Sequence, residues 1–322
     1  MKAAVLHGIG RSPRFEFFPD PVAQAGEVLV EVRAAALKPV DKQMAAGSHY
    51  SAFRNFPVTC GVDGVGRLEN GSRVFFALPR SPYGAMAEQT VVAKPRCFPL
   101  PDNVDDITAA AVFNPGLSAW GALKWRAELT QGQSVLILGA TGVTGKIAIQ
   151  MAKLLGAGRI VAAGRDEKIL ATLPDLGAHE TLRIGESMEN LKHDFESLTK
   201  EAGFDVIIDY LWGSPAAALL SAISREDLSA GSSRMRWVQV GESAGAAISL
   251  PAAALRSSRL ELLGAGSGNA PASPDLWVDA IQKLLANVAG GAIRIETEEL
   301  PLCDVEEVWE RKFPGRRAVL IP

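Results

Sequence analysis

Residues 134–165 read SVLILGATGVTGKIAIQMAKLLGAGRIVAAGR, and the fold follows from this stretch. Val135–Leu138 is a short apolar run of the kind that forms a strand buried on both faces. A glycine-rich turn comes next, then apolar residues at helical spacing from Val143 to Leu155, then a second strand from Arg159 to Ala163. The turn is Ala140-x-Gly142-x-x-Gly145, the dinucleotide fingerprint with alanine in the first glycine position. Small residues let the backbone approach a pyrophosphate, and the N–H groups and positive dipole at the helix start hold the anion. With a strand before, a helix after and a second strand following, the pattern predicts a doubly wound parallel α/β sheet. It also places Ala140, Thr141, Gly142, Val143 and Thr144 at the cofactor; the alternative is a glycine-rich turn in an ordinary strand–helix–strand unit.

The end of the second strand chooses between dinucleotides. An NAD site carries a carboxylate there for the ribose 2′-hydroxyl. This chain has Gly164 and then Arg165, which removes the carboxylate and offers a guanidinium to a 2′-phosphate. NADP(H) is therefore the expected cofactor, with Arg165 as either a phosphate ligand or a solvated surface arginine. Lys168, one turn on, is a second phosphate ligand or a plain surface lysine. Asp166 weakens the case slightly unless it caps the next helix.

Length and composition fit a two-domain enzyme. The chain has 322 residues, 48% of them hydrophobic, enough for more than one core. Its 33 basic and 36 acidic residues are interspersed, which gives no support for a nucleic-acid surface or a polybasic membrane patch. No apolar run reaches the roughly 18–20 residues that span a bilayer. The start, MKAAVLHGIG, has no run of signal-peptide length, so cytoplasmic residence is expected. Cys60, Cys97 and Cys303 are isolated and read as small buried hydrophobes rather than a disulfide framework. No histidine stands at ligand spacing to a cysteine, so no metal site is expected.

Along the chain, residues 2–100 read as short strands with turns, among them 28–37, a hairpin over 61–79 around Glu69-Asn70-Gly71, and 84–93. Such a β-rich stretch predicts a small, partly open barrel. Residues 106–126 read as helical; within them Asn114 has the form of an N-cap with Pro115 at the first helical position. Later strands are expected at 179–184, 205–210, 236–241 and 259–264, a helix at 275–289, and strands again in the tail. Glu226–Arg234 reads as an exposed loop.

Several segments carry a family resemblance: AAALKPVDKQMAAGSHY (34–50), GVDGVGRL (61–68), NPGLSAWGAL (114–123), the fingerprint, DVIIDYLWG (205–213), WVQVGE (237–242), LLGAGSG (262–268) and RRAVLIP (316–322). Over essentially its whole length the chain resembles the medium-chain dehydrogenases/reductases, in their zinc-less quinone oxidoreductase-like branch. The resemblance implies a GroES-like catalytic domain over 1–120, completed by 267–322, and a Rossmann domain over 121–266, with the active site in the cleft between them. Zinc-dependent members would carry a cysteine near Asp41 and a His-Glu pair where this chain has Val62-Asp63, so zinc catalysis is not expected. In that branch a segment usually reads Asn-Pro-x-Asp; here it is Lys38-Pro39-Val40-Asp41, with lysine in the asparagine position.

What remains is zinc-independent hydride transfer from NADPH to a quinone or an α,β-unsaturated carbonyl, whose developing oxyanion needs a hydrogen-bond donor. Alternatives are an aldehyde/alcohol or enoyl-thioester reductase of the same fold, or a non-catalytic NADPH-binding sensor. The resemblance puts Tyr50 at the substrate cleft as donor, with His49 as a substitute; its bland reading is a half-buried packing tyrosine. Lys38 would polarise a carbonyl, sit over cofactor phosphates, or pair with Asp41 without a chemical role. Asn114 and Ser118 are expected beside the nicotinamide, with backbone contacts from Gly241, Glu242 and the 264–268 loop including Gly266. Trp212 is expected at the cofactor rim or in the core. The apolar strand RLELLG (259–264) should end the parallel sheet and pair across a two-fold axis, giving a homodimer.

Overall fold

The computed structural model describes residues 1–185, 187–201, 203–224 and 234–322. Most of the expected loop at Glu226–Arg234 thus lies outside the described residues. The chain divides into two compact units, 1–114 with 281–322 and 115–280. These boundaries fall inside two helices, Asp106–Trp120 and Pro274–Ala289, instead of at 120/121 and 266/267.

The first unit is built from β1 (Lys2–Leu6), β2 (Arg14–Phe17), β3 (Glu27–Ala36), β4 (Val58–Thr59), β5 (Asp63–Leu68), β6 (Arg73–Ala77), β7 (Gln89–Ala93) and β8 (Cys97–Pro99). Strands β2-β1-β4 form one sheet, and β3, β5, β6 and β8 pair in sequence in another, with β7 also on β3. The hairpin at 69–71 closes as expected: Leu68 N–H donates to Ser72 O, and Gly71 takes the positive φ of 83° that the turn demands. Only the second half of the expected 84–93 strand is a strand. Residues 84–86 instead pack backbone to backbone on 59–61, with Gly84 so close that a Cβ would lie 2.2 Å from Cys60 O. Val30, Val32, Val74, Phe76, Met86 and Val92 share one core with Leu6 and Val58 of the smaller sheet. Cys60 is buried in that core, Cys97 is half-buried, and Cys303 is exposed, so the reading of three buried thiols fails at Cys303.

The second unit carries β9 (Ser134–Leu138), β10 (Arg159–Gly164), β11 (Glu180–Arg183), β12 (Val206–Asp209), β13 (Met235–Gln239) and β14 (Leu260–Gly264), all parallel, in the order β11-β10-β9-β12-β13-β14. This is the doubly wound order whose direction reverses between β9 and β12. The strands are apolar on both faces because helices cover both: Leu136, Ile137, Ile207 and Ile208 are all fully buried. The chain then returns to the first unit with β15 (Thr297–Pro301) and β16 (Arg317–Ile321), the latter antiparallel to β3.

Two helices carry residues expected at the site. Helix α1 (Pro39–Ala46) starts at a proline whose fixed φ suits the first helical position, and ends at Gly47 with φ 79°. Helix α2 (Asp106–Trp120) is continuous through Pro115. Asn114 is therefore mid-helix rather than an N-cap; the cap is Asp105, whose carboxylate accepts the Thr108 N–H at 2.8 Å. The proline is accommodated, and the chain continues as a π-helical stretch over Gly121–Arg126.

The first unit buries four charges. Lys38, Asp41, Asp63 and Arg317 are 1, 2, 5 and 5% exposed. The Lys38 ammonium donates to Asp63 at 2.9 Å and to Ala36 O at 2.8 Å, and lies 3.5 Å from Asp41. Asp41 accepts the Lys38 N–H at 2.8 Å and the Val62 N–H at 3.1 Å, while Arg317 donates to Leu37 O. Two positive and two negative groups cancel and each makes at least one hydrogen bond, which lowers the cost of burying ions, although Arg317 Nε is left without a partner among the described residues. Burial works against the Lys38 ammonium, but Asp41 and Asp63 outweigh it and hold its pKa above the ordinary lysine value. Lys38→Met should cost about 3–5 kcal/mol in urea unfolding, because two carboxylates lose their cation. A raised lysine pKa stabilises the fold below the unfolded value and loses that contribution as pH climbs through the folded one. Wild-type stability should therefore carry this contribution unchanged through neutral pH and lose it only above about pH 10.4. A Lys38→Met variant as stable as wild type at pH 7 would remove the quartet from the account.

Candidate functional site

In the second unit, the expected cofactor residues assemble at one edge, the carboxyl ends of β9, β10, β12, β13 and β14. Gly139 turns the chain out of β9 with φ 86°, and Gly139 and Ala140 both donate to Ala163 O on β10 at 2.9 Å. Helix α3 (Val143–Leu154) then starts at Gly142, and no side chain caps it. Its first N–H groups thus point along the turn with no capping oxygen, the arrangement that accepts an anion. Gly145 allows helix and turn to touch: a Cβ there would lie 2.4 Å from Gly139 O and 2.6 Å from the Ala140 Cα.

The end of β10 is equally tight. A Cβ on Gly164 would fall 2.4 Å from Thr141 Cγ2, so the packing of Thr141 itself demands glycine there. Arg165 and Lys168 follow, both exposed, and neither is in an ion pair among the described residues. Asp166 is a cap, accepting the Ile169 N–H at 3.1 Å. Its carboxylate is spent on the helix start rather than on a ribose position.

At the end of β12, Trp212 is half-buried and packs edge-on against Trp237, ring centroids 6.3 Å apart. Its ring thus packs on the core cluster that contains Trp237. Next to β13, Gly241 donates to Asp209 O at 3.1 Å, and a Cβ on it would meet Tyr210 O at 2.9 Å. Glu242 is exposed and accepts the Gly245 N–H through its carbonyl. Beyond β14, Gly266 is exposed and donates to Asn269 Oδ1 at 2.8 Å. The Arg126 guanidinium donates to Gly264 O at 2.8 Å, tying the π-helical stretch to the end of β14. Ser118 lies on α2 one turn beyond Asn114, and both are half-buried.

The residues expected to do chemistry in the first unit part company. Tyr50 is 68% exposed, in the turn after α1, its ring 4.0 Å from that of His49. Lys38 and Asp41 lie inside the quartet instead. Their side chains are 0% exposed, so neither reaches a substrate, and the ion-pair reading of Lys38 is the one its surroundings support. Among the described residues no three His, Cys, Asp or Glu groups cluster as metal ligands. The sequence reading missed Gly139 and Asp209. Gly139 was visible as the residue that opens the turn. Asp209, a lone carboxylate at a strand end, carries no signal until its partners are folded around it.

Comparison with known proteins matches this architecture. Residues 143–282 match the zinc-binding dehydrogenase family. A probable NADPH-dependent quinone reductase of Emericella nidulans is 27% identical, with 96% of each chain covered. The quinone oxidoreductase of Homo sapiens is 31% identical, over 63% of each chain. The quinone oxidoreductase of Thermus thermophilus, whose structures include a complex with NADPH, superposes with a TM-score of 0.81 at 28% identity over 100% of both chains. The chain is thus similar, in sequence and in fold, to the quinone oxidoreductase-like medium-chain dehydrogenases/reductases.

Proposed function

We propose that the protein is a zinc-independent oxidoreductase that uses NADPH to reduce a quinone or an α,β-unsaturated carbonyl. The observation that carries the cofactor is the end of β10: Gly164 closed against Thr141, with exposed Arg165 beside the uncapped start of α3. A carboxylate side chain at 164 would displace Thr141, and the arginine supplies the charge a 2′-phosphate seeks. The cradle fits a dinucleotide pyrophosphate: Gly145 lets the start of α3 close on the turn, and the uncapped N–H groups there are left for the anion. Relatives that share the fold are named for NADPH and quinones, which supports the same reading.

NADPH, when bound, supplies the hydride. The chain's part is to hold the pyrophosphate on the α3 N–H groups, admit the 2′-phosphate beside Arg165, and donate a hydrogen bond to the acceptor oxygen as it becomes negative. Tyr50, 68% exposed, is the donor proposed for that oxygen. Zinc independence rests on the donor chemistry: the Lys38 ammonium repels a cation and occupies Asp63 and Asp41. The reading includes residence in the cytoplasm, supported by three unpaired thiols.

The assembly proposed is a homodimer. Strand β14 ends the parallel sheet, and Leu262 on it is 38% exposed, leaving a half-apolar edge.

Three measurements test this reading. Wild-type protein should bind NADPH more tightly than NADH. Arg165→Ala should weaken NADPH alone by roughly ten- to a hundredfold, the worth of charge-assisted bonds. Equal affinities in the wild type would sink the cofactor choice. In steady-state NADPH oxidation over quinones, enones and aldehydes, quinones or enones should turn over, with rates indifferent to chelator. Tyr50→Phe should lower kcat about tenfold or more with NADPH affinity unchanged. Turnover confined to aldehydes would replace the substrate class, and an unchanged kcat would return Tyr50 to a surface role. Light scattering at micromolar concentration should give twice the 34.1 kDa chain mass. A monomer rules the dimer out, and a dimer untouched by Leu262→Asp places the interface elsewhere.

A further inference from the structure

Trp212 has φ 52° and ψ −154°. That region is open to glycine and costly for any residue with a Cβ, above all a bulky one. Such a conformation persists only where its surroundings over-determine it, and those surroundings are explicit. The Asp209 side chain, on a residue with 0% exposure, accepts the Leu211 N–H at 2.8 Å and the Trp212 N–H at 2.9 Å through Oδ1. Its Oδ2 accepts the Trp237 indole N–H at 3.1 Å. All three donors are neutral; they offset only part of the cost of burial, which pushes the Asp209 carboxyl above the usual carboxylate range. The Trp212 ring leans on the Trp237 ring that the same carboxylate holds.

The turn reaches both neighbouring loops of the cofactor edge. Toward β13, Ala244 donates to Leu211 O at 2.8 Å, Trp212 bridges Gly245, and a Cβ on Gly213 would lie 2.4 Å from Ala244 O. Toward β9, the space where Gly139 lacks a Cβ is filled by Tyr210 Cβ and Leu211 Cδ2, each 3.2 Å from that point. Relaxing Trp212 to a common conformation would rotate the 211–213 peptides and carry these contacts with them.

We propose that Asp209 is a positioning residue: it holds Trp212 in a glycine-type conformation and so sets the spacing between the fingerprint turn and the 241–245 loop. The proposal rests on the dinucleotide reading above and adds to it a residue that touches no cofactor atom. It predicts a specific non-additivity. If Asp209 acts by restraining Trp212, glycine at 212 adopts the conformation unaided and the carboxylate becomes dispensable.

The test is a double-mutant cycle read as the NADPH dissociation constant, with urea midpoints measured on the same four proteins. Asp209→Ala removes the acceptor of the Leu211 and Trp212 N–H groups and should weaken NADPH about tenfold or more. In a Trp212→Gly background the same change should cost less than about threefold, and the urea midpoints should show the same coupling. An equal fold-loss in both backgrounds overturns the proposal and makes Asp209 a packing residue with no special tie to Trp212. Should Asp209→Ala fail to fold, Asp209→Ser replaces it, since its short side chain carries no carboxylate to span the two N–H groups; the same criteria apply. A wild type that binds no NADPH overturns the functional reading and this role together, whereas a wild type that binds with additive variants overturns this role alone.

Discussion

The second unit depends on one close approach, the contact of the α3 start with the turn after β9. Gly145 sits against Gly139 O and Ala140 Cα at distances no side chain would permit. That contact brings the helix axis up to the sheet edge, and everything proposed for the cofactor uses it. The uncapped N–H groups face the turn, and Thr141 packs against Gly164, where any side chain would displace it. A close approach at the turn thus has an electrostatic result: the end of β10 carries no carboxylate, and the next residue, Arg165, is an exposed cation.

The first unit answers a different constraint. A lysine placed at the start of α1 with its side chain turned inward has to be neutralised, and Asp41, Asp63 and Arg317 complete a balanced set. Arg317 comes from the last strand, so the charge balance of the N-terminal sheet is closed only when the chain's tail has returned to it. In this respect the quartet resembles a lock between distant parts of one chain more than a reactive centre. A residue that reads as polar and chemically able became structural once its side chain lost contact with water.

Strain at Trp212 and order at Asp209 connect these themes. Both strand ends β9 and β12 carry a positive-φ turn, at Gly139 and at Trp212. At the first, glycine makes the conformation free. At the second a tryptophan holds it, with hydrogen bonds to a buried carboxylate offsetting the cost. A positive-φ turn thus stands on both sides of the point where strand order reverses.

Much of this was legible in the sequence. Local periodicity and turn chemistry predicted the parallel strands, α3, the hairpin at 69–71 and the fingerprint, because each depends on residues close in the chain. Gly164-Arg165 pointed to a cofactor class for the same reason. What the sequence could not decide was burial. Lys38 was open between reactive and paired roles, since only packing determines whether an ammonium faces water. Asn114-Pro115 read as a helix start, yet tertiary contacts carry α2 straight through it. Asp209 was invisible because its three donors come from β13 and from a turn whose conformation no local preference favours. Local chemistry belongs to the sequence; desolvation, charge pairing between distant segments and strained backbone belong to the folded structure, because each exists only when residues far apart in the chain exclude water together.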